Sequence, residues 1–390
     1  MLLTKKFSVL PGRKEKIILD CLCYASARLW NAAHYEKLHY EELGLPAYPN
    51  WYDQKKRMKD SFWYKNLPSQ SAQEVLHVLE QGWRSFFQLK RSDGVEHPRP
   101  PHFKPQNGLF SVRFLNNGFC ISPDRQFRFS LPRQLKSYLQ ERHAVCDNYL
   151  TMKIPGFSGV EGKAKQVEFW PMAGKRSYQV CIVYEIPDAE ALEEDGRYLS
   201  IDLGLCNLLA CYDSRGESFL ISGAHYLNTM YYCSKTIARL QTIAYGQQIA
   251  AGAKYGKPTR RIKALYEKRN RQLEHYLHAA TKKVADYCLR EGITRVIIGD
   301  ITGIRKNMDF GKKTNQKLHG LPFAKLYHML EYKLRRHGIL LVKQRESYSS
   351  QCSPASKEVS KAYACKGNRK KRGLYVDGEI IYQRSSAENS

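Results

Sequence analysis

The chain has no Cys-x-x-Cys pair; its eleven cysteines are scattered between positions 21 and 365. That excludes a disulfide framework and fits a reducing compartment, where most thiols act as small core residues. No run of about 18 apolar residues occurs, so no membrane span is expected. The opening MLLTKKFSVLPGRKEK has too short an apolar stretch for a signal peptide and alternates as a strand does. These absences together predict a cytoplasmic protein. There is no internal repeat. Acid is scarce: 37 Asp and Glu stand against 63 Lys and Arg, a net charge of +26. A surplus of this size favours a polyanionic partner.

The remaining composition is that of a soluble chain with a core: 43% hydrophobic residues and a mean hydropathy of -0.54. Its 390 residues suffice for two or three domains. The bases are interleaved with 26 Tyr and 15 Phe, a mixture that suits base stacking beside phosphate contact.

Along the chain, residues 1–10 read as a strand. Ile18, Leu22, Ala25 and Leu29 then recur at helical spacing, and Gly44 and Pro46 end that helix. Further helices follow, the last capped by Ser69 and lined by Val75, Leu79, Trp83 and Phe86. From about 108 to 187 the period becomes two, with an Asn-Gly turn in LFSVRFLNNGFCIS. This run of short strands predicts a small barrel completed by the N-terminal strand, with the helices of 12–95 inserted in it. DAEALEEDG is an acidic linker. After it come three strands, a basic helical stretch over 225–292, the strand RVIIGD, a helix and the strand ILLVKQRESYSS. That order is the one found in an RNase H-like nuclease core. The tail SPASKEVSKAYACKGNRKKRGLYVDGEIIYQRSSAENS reads as polar, basic and weakly structured.

Nucleases of that kind hold divalent metals with carboxylates on neighbouring strands. In LSIDLGLCNLLACYD, Asp202 sits mid-strand in an apolar setting, where a carboxylate is costly unless it binds metal or is hydrogen-bonded. Gly204 lets the backbone turn close by. The competing role is an Asp capping a hairpin.

Here the chain resembles the TnpB (OrfB) proteins of insertion-sequence transposons, RNA-guided nucleases related to the type V CRISPR effectors. The resemblance spans essentially the whole chain. It rests on ASARLWNAAHYEKLHY, NLPSQSAQEVLHVLEQGWRSFFQLK, HFKP, SIDLGLCNLLACYD and QRESYSSQCSP in that order. It implies an α+β multidomain fold: a β-barrel wedge domain over 1–10 and 104–190, an inserted helical recognition lobe over 11–103, and an RNase H-like (RuvC) α/β domain over 197–390. It implies a guide RNA and double-stranded target DNA as partners, a monomer, and a location on the nucleoid. Delegating sequence to base pairing leaves the protein to grip a heteroduplex through its backbone, which is what a charge of +26 suits.

The family's nuclease carries Asp, Glu and Asp. The first matches Asp202. The slot of the second, at the end of RVIIGD, is Gly299; Asp300 follows it, and strand alternation points Asp300 away from Asp202. Asp300 is expected to close the loop DITGIRKN. Glu346, one strand over, can bring the second acid to the same metal, or it is a surface acid paired with Arg345. Where the third acid is expected there is Ser385 in IIYQRSSAENS, the final helix of the family is missing, and Asp377 and Glu379 lie in a turn-like VDGE. The expectation is therefore an RNA-guided DNA-binding protein with impaired or absent cleavage. The alternative is an active Mg²⁺-dependent endonuclease using Asp202 and Glu346, and a further alternative is a guide-free DNA-binding regulator. Zinc is not expected, because Cys352 and Cys365 alone do not close a tetrahedral site. The nucleic-acid surface is expected at Tyr24, Arg28, Asn31, Tyr52, Lys55, Lys56 and Arg57, at Arg260, Arg261, Lys263 and Arg269, and at Arg369, Lys370 and Arg372.

Overall fold

A computed structural model gives the architecture. It describes residues 1–92, 96–172, 176–300, 320–344, 352–353, 361–363, 369–371, 374–377 and 380–383. The chain divides into two compact units, Met1–Pro187 and Asp188–Ser390. None of the described helices is long and apolar enough to cross a membrane.

In the first unit, β1 (Leu2–Val9) pairs antiparallel with β7 (Tyr178–Glu185), which pairs with β6 (Lys163–Pro171), which pairs with β2 (Val112–Leu115). Between β1 and β2 run four helices: α1 (Arg13–Leu38), α2 (Trp51–Met58), α3 (Phe62–Lys65) and α4 (Ser69–Arg91). The spacing that predicts α1 is the one it buries, with Ile18, Leu22, Ala25 and Leu29 all in the core. The helix stops at Leu38, short of Gly44. That glycine instead turns the following loop at φ +66°, a conformation side chains rarely adopt. Asn50 caps α2 by accepting from the amides of Tyr52 and Asp53. Ser69 is not a cap: it is the first helical residue of α4, and Pro68 occupies the cap position without a side-chain bond.

A second sheet, β3 (Phe119–Ile121), β4 (Gln126–Ser130) and β5 (Tyr149–Lys153), stacks on the first. Phe129 of β4 lies 4.7 Å from Phe114 and 5.1 Å from Phe169, ring to ring. The expected closed barrel is thus, among the described residues, two open sheets sharing a phenylalanine core. The reason lies at the Asn-Gly turn. Gly118 donates to the Leu115 carbonyl at 2.7 Å, but the turn is a corner and not a hairpin. β2 before it pairs with β6, while β3 after it pairs with β4. The strand run is also interrupted by a helix, α5 (Arg133–His143), which buries Leu135 and Leu139 four residues apart.

In the second unit a five-stranded sheet has the order β10 (Ser218–Ser222), β9 (Asn207–Asp213), β8 (Tyr198–Leu203), β11 (Arg295–Gly299), β12 (Leu340–Gln344). β8, β11 and β12 are parallel; β9 and β10 are antiparallel to their neighbours. The parallel neighbours need crossovers. These are helical: α6 (Ala224–Ala250) and α7 (Arg260–Glu291) come before β11, and α8 (Phe323–Arg335) before β12. Leu199, Ile201, Val296 and Ile298 face the helices and share a core with Leu277, Val284 and Cys288 of α7 and Leu326, Leu330 and Leu334 of α8. Burying each such leucine stabilises the unit by about 1.5–3 kcal/mol. The tail, expected to lack structure, carries a small antiparallel sheet of β13 (Arg369–Lys371), β14 (Leu374–Asp377) and β15 (Ile380–Gln383). Two short apolar runs, Leu374–Val376 and Ile380–Tyr382, pair across a two-residue connection to form its hairpin.

Candidate active site

The register of the second unit's sheet decides which side chains meet. β11 aligns Ile298 with Ile201 of β8, so one step on Gly299 lies level with Asp202. β12 aligns Gln344 with Gly299. Asp202, Gly299 and Gln344 therefore share one row and one face, at the C-terminal ends of three parallel strands. Asp300 falls on the opposite parity, with Ile298 and Ile201. Its amide donates to the Gln344 carbonyl at 2.7 Å; the nearby Tyr327 phenol is pushed up by burial first, then by the charges of Glu331 and Asp300. The loop it leads into, DITGIRKN, lies beyond Asp300 outside the described residues.

Asp202 is exposed, although Ile201 on one side is buried and Leu203 on the other partly so. The apolar flanks belong to the other face of the strand, so no burial cost attaches to its carboxylate. It has no hydrogen-bond or ion-pair partner among the described residues. Just beyond it the chain turns tightly. A Cβ at Gly204 would collide with the Asn207 carbonyl, and one at Gly223 with that of Leu205. Gly223, at the start of α6, donates to the Cys206 carbonyl at 2.5 Å. Two glycines thus let the first turn of α6 press on the loop that follows Asp202. The sequence singles out Gly204 but not Gly223, whose close approach comes from a long-range contact.

A hard divalent cation takes several oxygen donors. Asp202 is one of the right kind, but among the described residues no three His, Cys, Asp or Glu side chains converge. The donors described do not by themselves hold such an ion. Glu346, Glu379 and Ser385 lie outside the described residues, as do Arg345 and Cys365. Asp377 ends β14, in a hairpin rather than at a helix start, and Cys352 is buried.

The residues expected on a nucleic-acid surface divide in two. Several are tied up within the fold. Asn31 donates to the Lys104 carbonyl at 2.8 Å and accepts from its amide at 2.7 Å. Arg28 donates to the Pro105 carbonyl and lies 5.2 Å over the Tyr24 ring, which meets Trp63 edge-on. Trp30 donates to the His102 carbonyl at 3.0 Å. Together they strap HFKP along α1. Arg57 is paired with Glu36 at 2.5 Å. Others stand free of such duties. Tyr52 is 58% exposed with its ring centroid 3.9 Å from that of Trp51, and Lys55 and Lys56 are on the same short helix. Trp51, whose ring is tilted against that of Tyr52, was not singled out by the sequence. Arg260, Arg261 and Lys263 are exposed on the first turn of α7, which has no acid. Arg269 lies 5.0 Å over Tyr266 further along. Arg369 and Lys370 are on β13, and Arg372 is outside the described residues.

Comparison with known proteins agrees with this architecture. The family model OrfB_IS605, described as a probable transposase, matches residues 181–305, and the Cas12f1-like TNB domain matches residues 323–373. The TnpB-like protein ORF457 of Acidianus two-tailed virus is 23% identical over 361 residues, covering 85% of this chain and 74% of that protein. The cryo-EM structure of a Cas12f1-sgRNA-target DNA complex contains a chain of the same fold. It superposes with a TM-score of 0.53 at 12% identity, over 94% of this chain and 80% of that one. The mixed α/β, multidomain fold is thus of the Cas12f kind, and the chain is similar in sequence to transposase-associated, TnpB-like proteins.

Proposed function

We propose that the protein binds DNA under the direction of a guide RNA and cleaves it weakly or not at all. The observation that carries this reading is the row Asp202, Gly299, Gln344: the strand beside Asp202 offers a hydrogen atom where a two-metal nuclease needs a carboxylate. In this reading the wedge comprises 1–10 and 104–190 and the recognition lobe 11–103, nearly all within unit one. Residues 197–390 supply the RuvC-like domain. The nucleic-acid grip draws on the adjoining rings of Tyr52 and Trp51 and on the cations of α7. Three cations in the first turn of α7 oppose the helix dipole, each by about 0.3–1 kcal/mol, an arrangement that a bound phosphate backbone would relieve. The Cas12f1 structure is of a complex with guide RNA and target DNA, which supports the same class of partners here.

A second reading is favoured by Gln344. Glu346 follows it by two positions, the spacing at which strand residues share a face. In that reading Asp202 and Glu346 are the carboxylates that hold Mg²⁺, which when bound supplies charge stabilisation for phosphodiester cleavage. The protein's own share is to bring Glu346, in the sequence just after β12, toward Asp202 on β8 across the intervening strand β11.

One experiment separates the readings. The protein is purified from its host, the accompanying RNA is sequenced, and the complex is offered a matched DNA target with Mg²⁺. Tight binding without cutting supports the first reading. Cutting that is lost in Glu346→Ala supports the second. No enriched RNA overturns both.

A further inference from the structure

The second unit holds a groove of about 860 Å³ that neither reading uses. Its walls are the turn and edge strand of the β9–β10 hairpin on one side and the second half of α7 on the other. Asp213, at the far end of β9, is level with Leu199 at the start of β8. Asp202 is three positions further on, roughly 10 Å at the rise of a strand. The groove therefore opens at the opposite end of the sheet from the candidate active site.

Its chemistry is uneven. Lys282 and Lys283 are exposed beside the carboxylates of Glu217 and Asp286, and neither lysine is in ion-pair contact with an acid among the described residues. Arg215 and Arg290, by contrast, are both committed to Glu291, at 2.6 and 2.8 Å. Planar groups lie beside the lysines. Tyr287 packs 4.6 Å from Phe219, and the Arg290 guanidinium lies 5.2 Å over the Tyr287 ring. The Tyr287 hydroxyl donates at 2.7 Å to Asp213, a fully buried carboxylate that also accepts from the amides of Arg215 and Glu217. The aromatic floor is thus fixed to the hairpin and not free to swing. Because β10 is the edge of the sheet, its outer row of backbone groups is not used by another strand of that sheet.

We infer that this groove binds one strand of nucleic acid, with consecutive phosphates on Lys282 and Lys283 and a base against the Phe219–Tyr287–Arg290 floor. Two adjacent unpaired ammonium groups match a phosphate backbone. Aromatic and guanidinium planes accept any base face, so the contact would be indifferent to sequence. The inference rests on the nucleic-acid reading above and adds a second contact remote from Asp202. RNA and DNA strands share this chemistry.

The test compares fluorescein-labelled 20-mers of U and of dT bound to wild type, to the double variant Lys282→Ala/Lys283→Ala, and to Lys235→Ala/Lys254→Ala. The last removes the same charge from exposed positions outside the groove. Losing two phosphate contacts should flatten the dependence of log affinity on log salt by about 1.4 for the groove variant, at roughly 0.7 per phosphate for a single strand. The control pair should leave the slope unchanged. A 5-iodouracil strand should crosslink to Tyr287, and whether the U or the dT series does so identifies the strand. An unchanged slope in the groove variant, or an equal fall in both variants, overturns the site while leaving the guided-binding reading intact. A wild-type chain that binds neither strand overturns both.

Discussion

Two strand carboxylates, one in each unit, sit in opposite circumstances. Glu168 on β6 is 6% exposed, and it accepts from the Ser111 hydroxyl at 2.9 Å and the Arg113 guanidinium at 2.7 Å. Arg113 reaches on to Glu74 of α4 at 3.5 Å, so the network ties the sheet to the helices laid over it. Lys37 and Glu80 form a similar internal pair between α1 and α4 at 2.7 Å. Asp202 on β8 is exposed and answers to no described neighbour. The first unit uses its internal charges to fix helices on a sheet; the second leaves a carboxylate on an open face at strand ends. The difference separates charge that holds a fold from charge available to a ligand, and mutation can test it from either end.

The largest expected effect is in the first unit. Glu168→Ala leaves Arg113 and Ser111 without their shared acceptor and should cost about 3 kcal/mol or more. All five tryptophans, Trp30, Trp51, Trp63, Trp83 and Trp170, lie in that unit. Urea unfolding followed by tryptophan fluorescence reports it alone. A loss under about 1 kcal/mol would show that the network is dispensable. Asn31→Ala comes next, at about 1–2 kcal/mol by the same measurement, because it releases both backbone groups of Lys104 from α1. If instead it weakens nucleic-acid binding with no change in stability, the HFKP strap is a ligand contact.

A smaller effect is expected in the second unit, at Lys333 of α8. Its ammonium donates to the His278 carbonyl and the Thr281 hydroxyl of α7, both at 2.7 Å, and burial lowers its pKa from 10.5 to about 8. Between about pH 8 and 10.5 the unfolded chain keeps a proton that the folded chain has released, so stability from this group rises with pH across that window. The stability of wild type relative to Lys333→Met, from urea midpoints in circular dichroism, should therefore increase from pH 8 to pH 10. A flat difference would mean that Lys333 stays solvated when folded.

Much of this was legible in the sequence, and the failures share a cause. Helical spacing located α1 and α4 because periodicity is local. The order of elements in the second unit was legible for the same reason. Strand partners are not local. Asn117-Gly118 looks like a hairpin turn, yet its flanking strands join different sheets. A barrel was therefore inferred where two open sheets form. The helix α5 announced itself only by Leu135 and Leu139, between strands that set the expectation. In the tail, the surrounding charge concealed the two short apolar runs of LYVDGEIIY that pair with one another. At the candidate site, the glycine at position 299 and the parity of Asp300 were readable from alternation alone. The exposure of Asp202 was not, because Ile201 and Leu203 beside it suggest burial although they belong to the other face.

The smallest expected effect is at Asp202 itself, and it is the sharpest test of the comparison. Asp202→Asn removes a charge that is exposed and makes no described bond, so the urea midpoint of the second unit should stay within about 0.5 kcal/mol of wild type. Guided DNA binding should survive, because the proposed phosphate grip draws on cations elsewhere. Any Mg²⁺-dependent cutting should vanish, since the substitution removes the one described carboxylate placed to hold the ion. If the variant unfolds more than about 1 kcal/mol more easily, Asp202 is a structural acid like Glu168, and the row it shares with Gly299 and Gln344 is part of the fold rather than a site.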